Sequence, residues 1–345
     1  MRGGRWLITG ASGFLGRHLL TQIENQPDSP DLLALVRNRN EWQEMAWPRT
    51  FRRVQTVQGA VTEPGSWDDD PRLAGLSGIF HLAALVRHTR HNSAELYRTN
   101  VLGTSNMVRL AARHQCRLVF VSTSGTVGCF RQPQDTADEA APFCEPEVSG
   151  WPYYHSKIQA EREARRLADD LGVELVIVRP PVLLGPGDHR FRSTGHLIRF
   201  LRGRLPFLLR GGMHYTDVRD AAAALVQAMT RITPRPVYHL PGTNCTVEEF
   251  FACVAVTAGR AAPRWVIPYR LAWWLARLTA PLHLLPDPVV IEMASHYWGL
   301  TSRYAESDLD YRSRPGRDTL RDTVAWLRVN HPRLMASDRR VTNTP

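Results

Sequence analysis

Short apolar runs alternate with helically spaced segments through the first half of the chain. RWLIT (5–9), LLALV (32–36), VQTVQ (54–58), GIFHL (78–82), RLVFVS (117–122) and ELVIVR (174–179) read as strands. Several are continuously apolar, the mark of strands covered on both faces. Between them, Phe14–Asn25, Ser93–Arg113 and Tyr154–Leu171 carry helical spacing. This alternation predicts an α/β fold built on a parallel sheet with helices on both sides. After RPPVLLGPGD (179–188) prolines and short helices dominate, with isolated strand-like pieces at MHYTDV (213–218) and VYHL (237–240). The expected division is a first domain over 1–180, a smaller mixed lobe over 181–336 able to exchange segments with it, and a polar, frayed tail over 337–345.

Composition narrows the class. The 345 residues are 43% hydrophobic and 22% charged, as in a soluble globular protein. A net charge of +10 invites a nucleic-acid or anionic-surface reading. However, the arginines are scattered without a basic arm, so a solvated surface is favoured and no nucleic-acid partner is expected. Five cysteines without a CxxC pair point to reduced thiols and a cytoplasmic setting. The N-terminus enters a strand at once, leaving no room for a signal peptide. The most apolar stretch, Leu271–Ile291, is interrupted by Arg277 and three prolines, so it is read as buried or interfacial, with no transmembrane segment. Peripheral membrane contact is the less favoured reading, and a homodimer is left open.

TGASGFLG (9–16) directly follows the first strand and opens the first helix. Gly10 allows a tight turn, Gly13 lets backbone approach a pyrophosphate, and Gly16 lets helix pack on strand. The amides around Ser12, Phe14 and Leu15 would then face the phosphates. These features predict a Rossmann-type doubly wound sheet binding a dinucleotide. The second strand ends in Val36-Arg37, where an NAD site normally carries an acid for the ribose 2′-hydroxyl. A guanidinium suits a 2′-phosphate, so NADP is favoured, with Arg37 as its contact and NAD as the alternative.

Of 43 basic residues 42 are arginine; the lone lysine, Lys157, stands four residues after Tyr153. On a helix the two share a face. An ammonium and a nicotinamide cation would pull the phenol pKa down and make Tyr153 a general acid or base. The ammonium would also reach ribose hydroxyls, a task that a planar guanidinium suits poorly.

Together with HLAA (81–84), NVLGT (100–104), VSTSGTVG (121–128), RPPVLLGPGD and YTDVRDAA (215–222), these motifs resemble the extended short-chain dehydrogenases/reductases over roughly 5–330. That group includes nucleotide-sugar epimerases and dihydroflavonol and 3β-hydroxysteroid reductases, and the chain looks closest to the reductases. The resemblance implies a Ser-Tyr-Lys set: Tyr153 exchanging the substrate proton, Lys157 tuning it, and Ser124 hydrogen-bonding the substrate oxygen. Ser122 and Thr123 remain alternatives to Ser124. It also implies that Ala83 and Ala84 pass beside the cofactor, that Asn100 is structural, and that Pro180, Pro181 and Val182 lie near the nicotinamide. The family's Gly-Asp after the third strand is replaced by Gly59-Ala60-Val61, so adenine would rely on other groups, such as the Val61 backbone.

The expected activity is NADP(H)-dependent interconversion of a carbonyl and an alcohol on a hydrophobic small molecule. A nucleotide-sugar epimerase with bound NAD is the alternative, and a catalytically silent dinucleotide sensor is less favoured. Dehydration lacks its acid pair, since Gly125-Thr126 stands where Asp-Glu would be. Trp265, Trp273, Trp274 and Trp298 could line an apolar pocket, although core or interface roles are commoner. His88 and His91 read as loop residues, with no metal expected.

Overall fold

The computed structural model describes residues 4–45, 47–205, 207–279 and 285–335; the tail expected from 337 lies outside them. Six strands from the first half align in parallel: β1 (Arg5–Thr9), β2 (Asp31–Val36), β3 (Val54–Gln58), β4 (Leu76–His81), β5 (Arg117–Val121) and β6 (Leu175–Arg179). They follow the apolar runs of the sequence to within two residues. The next three strands are β7 (Val182–Leu184), β8 (Gly212–Asp217) and β9 (Val237–His239), followed by β10 (Thr243–Thr246). The main sheet has seven strands in the order β9-β6-β5-β4-β1-β2-β3, reversing direction about β1 and β4.

Side chains on a strand alternate between faces, and here both faces are dry. Ile8, Ala34, Phe80 and Val119 meet helices α1 (Phe14–Glu24) and, later in the chain, Val218–Thr230. Leu7, Leu33, Ile79 and Phe120 meet the helices Gly103–Arg113 and Pro152–Leu171, numbered α2 and α3. The helix Val218–Thr230 is α4; it starts on an Asp217 side chain that accepts from the Arg219 N–H.

Two expectations need correction. VYHL does not belong to the smaller lobe: Val237–His239 pairs in parallel with Ile177–Arg179 and closes one edge of the main sheet. Helix α4 carries the chain back there by packing on α1 through Ala221, Leu225 and Val226. The segment 93–113 is not one regular helix either. It runs as α-helix over Ser93–Tyr97, as a π turn over Arg98–Leu102, and then as α2. The wider turn holds Asn100, whose Oδ1 accepts from the Leu85 N–H (2.8 Å) and whose Nδ2 donates to the Leu85 carbonyl (3.1 Å) and Ser156 Oγ (2.9 Å).

The smaller lobe is built on a sheet of order β10-β8-β7, antiparallel then parallel. Helices α5 (Val247–Ala258) and α8 (Gly316–Asn330) pack on it, and α6 (Tyr269–Thr279) and α7 (Pro288–Ala294) pack on each other. Phe250, Val254, Leu320 and Val324 fill the space between α5 and α8.

Candidate active site

Loops following β1, β2, β4, β5 and β6 converge at the carboxyl edge of the main sheet, where the strand order reverses. Gly10 has φ +70°, and a Cβ there would stand 2.7 Å from the Leu82–Ala83 backbone. A Cβ on Gly16 would strike the Gly10 carbonyl. Gly13 is the N-cap of α1 and brings no side chain to the first-turn amides. The N–H groups of Phe14, Leu15 and Gly16 therefore keep the positive end of the helix available to an anion. This cradle fits the pyrophosphate of a dinucleotide.

Beyond it, Ser12, Val36, Arg37, Asn38, Glu41 and Arg190 line a small recess at the end of β2. Arg37 is exposed there, and Arg190 pairs with Glu41 at 2.7 Å. The recess brings a second arginine that the sequence reading had left unassigned, together with a carboxylate that it neutralises. Ala83 is tied to the first strand by its N–H donating to Thr9 Oγ1 (3.2 Å), and Ala84 follows in the same loop. The Val61 carbonyl accepts from Asn106 Nδ2 (2.8 Å), fixing the loop after β3 against α2. Pro180 accepts the Ser124 N–H (2.8 Å), and Val182 opens β7 beside it.

Helix α3 begins at Pro152, two residues before the Tyr154 start read from the sequence, and so carries both Tyr153 and Lys157. The three hydroxyls after β5 are sorted by their partners. Ser122 Oγ donates to Glu161 Oε1 at 2.5 Å, away from the cleft. The Thr123 side chain lies near the Tyr153 phenol and favours its ionised form, while its Oγ1 accepts from the Gly125 N–H. Ser124 holds the turn through its backbone, its carbonyl accepting the N–H groups of Val127 (3.1 Å) and Gly128 (2.8 Å). Thr123, one of the alternatives to Ser124, thus stands near Tyr153, and Ser124 is buried in the same turn.

Burial sets the electrostatics. It pushes the Tyr153 phenol up to about 12, with the Thr123 side chain pulling the other way. The expectation of a lowered phenol pKa is therefore reversed in the protein alone: desolvation of the phenolate outweighs other influences. Lys157 shows the same effect, held down near 7 by burial while the Glu161 carboxylate opposes the shift. Its Nζ donates to the Val121 carbonyl (2.9 Å) and lies 4.2 Å from the centre of the Phe120 ring. Glu161 is itself clamped by Arg179, whose Nε reaches Oε1 at 3.0 Å and whose terminal nitrogen reaches Oε2 at 2.5 Å.

His88 is more than a solvated loop residue. Its ring meets Tyr153 edge-on at 5.4 Å, its Nδ1 is buried without a hydrogen-bond partner, and burial lowers its pKa to about 4. It is neutral at ordinary pH and carries an unused polar atom beside the tyrosine. Tyr154 packs instead on Trp298 (5.1 Å), and a Cβ on Gly125 would collide with its ring. The Trp-rich segment divides: Trp298 backs this cluster, Trp273 donates to Glu292 (2.9 Å), and Trp265 and Trp274 are exposed.

Comparison with known proteins places this geometry in a family. Residues 6–240 match the model of the NAD dependent epimerase/dehydratase family. A Synechocystis protein carrying a provisional dihydroflavonol 4-reductase name is 29% identical over 94% of this chain and 95% of its own. A Stigmatella aurantiaca 4-hydroxy-2-methyl-3-oxo-4-farnesyl-3,4-dihydroquinoline-1-oxide ketoreductase is 31% identical over 79% of each chain. The crystal structure of gox2253 superposes with a TM-score of 0.78 at 26% identity, covering 94% of this chain and 98% of that one. The protein belongs to the NAD-dependent epimerase/dehydratase family, within the extended short-chain dehydrogenases/reductases.

Proposed function

We propose that the protein is an NADPH-dependent reductase of a ketone or aldehyde on an apolar small molecule. The observation that carries this reading is the Tyr153 phenol, with the Thr123 side chain near it and packed among His88, Tyr154 and the neighbouring apolar cluster of Val148, Val289 and Trp298. The two relatives described above bear reductase names. The amides of Phe14, Leu15 and Gly16 hold the cofactor's pyrophosphate, and Arg37 with Arg190 favours a 2′-phosphate. Bound NADPH supplies the hydride.

The residues of the chain manage the oxygen. Thr123 and Tyr153 hold the substrate carbonyl, and Tyr153 gives its proton as negative charge develops there. Lys157, positioned by the Val121 carbonyl, stabilises the phenolate left behind. A phenol held near 12 in the free protein is a firm proton carrier until substrate arrives.

The test is NADPH oxidation against a panel of apolar ketones, aldehydes and nucleotide sugars. Tyr153→Phe should remove turnover while leaving NADPH affinity within about two-fold, because the lost hydroxyl acts on substrate. Retained turnover refutes the assignment. Sugar interconversion with copurified NAD and no net oxidation would identify an epimerase instead.

A further inference from the structure

Helix α6 is apolar on two opposite faces. Ala272 and Ala276 are buried and pack with Leu209 and Ile291. On the other side Leu271, Trp274, Leu275 and Leu278 form a stripe at i, i+3, i+4 and i+7. Trp274 is 57% and Leu278 72% exposed, and Trp265 on the preceding segment is 73% exposed. Scattered apolar residues on a surface are ordinary, but a contiguous group with two tryptophans is not. Of 13 large hydrophobics exposed among the described residues, seven lie within 265–278.

Along the chain here the charge has one sign. Between Glu249 and Asp287 the sequence contains no carboxylate, while it contains Arg260, Arg264, Arg270 and Arg277. At about 100° per residue, Arg270 and Arg277 fall together along one flank of the apolar stripe. Both are exposed, and Arg277 lies 5.4 Å from the centre of the Trp273 ring.

We propose that this face docks on the surface of an anionic lipid bilayer. Helix α6 lies in the plane of the interface, with Trp265, Trp274 and Leu278 at the boundary between headgroups and acyl chains and the arginines on lipid phosphates. A second copy of the chain fits less well, because an isologous contact would bring two sets of arginines together with no carboxylate between Glu249 and Asp287 to offset them. No described helix is long and apolar enough to cross a membrane, so the contact is peripheral.

The docking face is one helix away from the candidate active site. Ile291 of α7 packs under α6, while Val289 of α7 joins the cluster around Trp151, Tyr153 and Tyr154. Glu292 latches the two sides: it accepts from Trp273 Nε1 on α6 and from Trp151 Nε1 next to α3, each at 2.9 Å. The arrangement suits a substrate that reaches Tyr153 from lipid. The docking itself does not depend on the reductase reading, and it is measured without cofactor or substrate.

The experiment is flotation of the full-length protein with vesicles of phosphatidylcholine and phosphatidylglycerol, compared with pure phosphatidylcholine. The expected result is binding to the anionic vesicles alone, reversed by salt, with a blue shift of tryptophan emission and quenching by brominated acyl chains. Trp274→Ser with Leu278→Ser should weaken partition by more than about ten-fold, since both buried side chains are lost from the interface. Arg270→Gln and Arg277→Gln should each weaken it roughly five-fold. Both sets should keep the parent melting temperature and NADPH affinity; if the double variant fails to fold, quenching of the parent protein decides. Absence of binding to anionic vesicles, equal binding to neutral ones, or quenching by neither overturns the proposal. So does a dimer that only the Trp274/Leu278 variant dissociates.

Discussion

Burial acts on Tyr153 and Lys157 in the same sense, toward the neutral form of each, and the consequences differ. For the tyrosine the neutral form is the proton donor, so enclosure keeps it loaded. For the lysine the neutral form is the inactive one, because only an ammonium steadies a phenolate. Lys157 loses its proton as pH rises through about 7 in the free protein. The second-order rate constant for the cofactor reports free-enzyme ionisations, so it should fall above that pH. Glu161 raises the Lys157 pKa, and Glu161→Gln should move the fall to lower pH. An unmoved profile in a folded variant would remove Glu161 from that role. The stability effect has the same origin. The unfolded lysine binds its proton more tightly than the folded one, so this group adds stability above its unfolded pKa and loses it as pH falls toward 7.

Two neighbouring hydroxyls offer a sharper test. Thr123→Val, which removes the hydroxyl near the phenol, should cut kcat on the order of 100-fold, whereas Ser124→Ala, which keeps the backbone bonds of that turn, should cost far less. The reverse order would restore the assignment to Ser124. This choice was not legible in the sequence, where three consecutive hydroxyls carry no period that says which one turns toward the cleft. The direction of the tyrosine shift was equally hidden, because spacing shows that Tyr153 and Lys157 share a face but not how deeply the phenol is enclosed. His88 could have been found only from the loop's path, since one histidine in a polar tetrapeptide looks like any other.

At the level of elements, the inner strands of the first half were readable because a sheet covered on both sides needs apolar runs, and RWLIT and LLALV fall within β1 and β2, whereas VQTVQ alternates with polar residues and forms the edge strand β3. Gly10, Gly13 and Gly16 were readable because each position has a different steric demand. Gly10→Ala tests the strictest of these: it combines a positive φ with backbone 2.7 Å from the new methyl. It should destabilise the fold by about 1–3 kcal/mol and weaken NADPH binding, measured by chemical denaturation and by titration of cofactor fluorescence. A variant with unchanged affinity would separate the cradle from the cofactor. The π turn at Arg98–Leu102 was not readable, because its cause is a clamp between Asn100, Leu85 and Ser156 that links three distant parts of the chain.

For the whole molecule, a ligand that binds only the folded state raises stability by about 2.7 kcal/mol at a hundred times its Kd. NADPH should therefore raise the melting temperature more than NADH at equal concentration. Arg37→Asp should reduce or invert that order, and an unchanged order would refute Arg37 as the 2′-phosphate contact. The two arginines of the recess come from opposite halves of the sequence, which shows Arg190 but not its place beside Arg37.

The long return of the chain to β6 through α4 and β9 also has a consequence in time. As the protein is synthesised, Leu175–Arg179 is made well before the strand that covers its edge, and the gap runs to Val237. At about 5–20 residues per second a ribosome takes roughly three to twelve seconds to cross it. During that interval an apolar edge, LVIVR, stands open, together with the part of the sheet face that α4 later covers. A pause on the messenger within that gap lengthens the exposure, so the yield of soluble protein depends on translation speed there more than elsewhere in the chain.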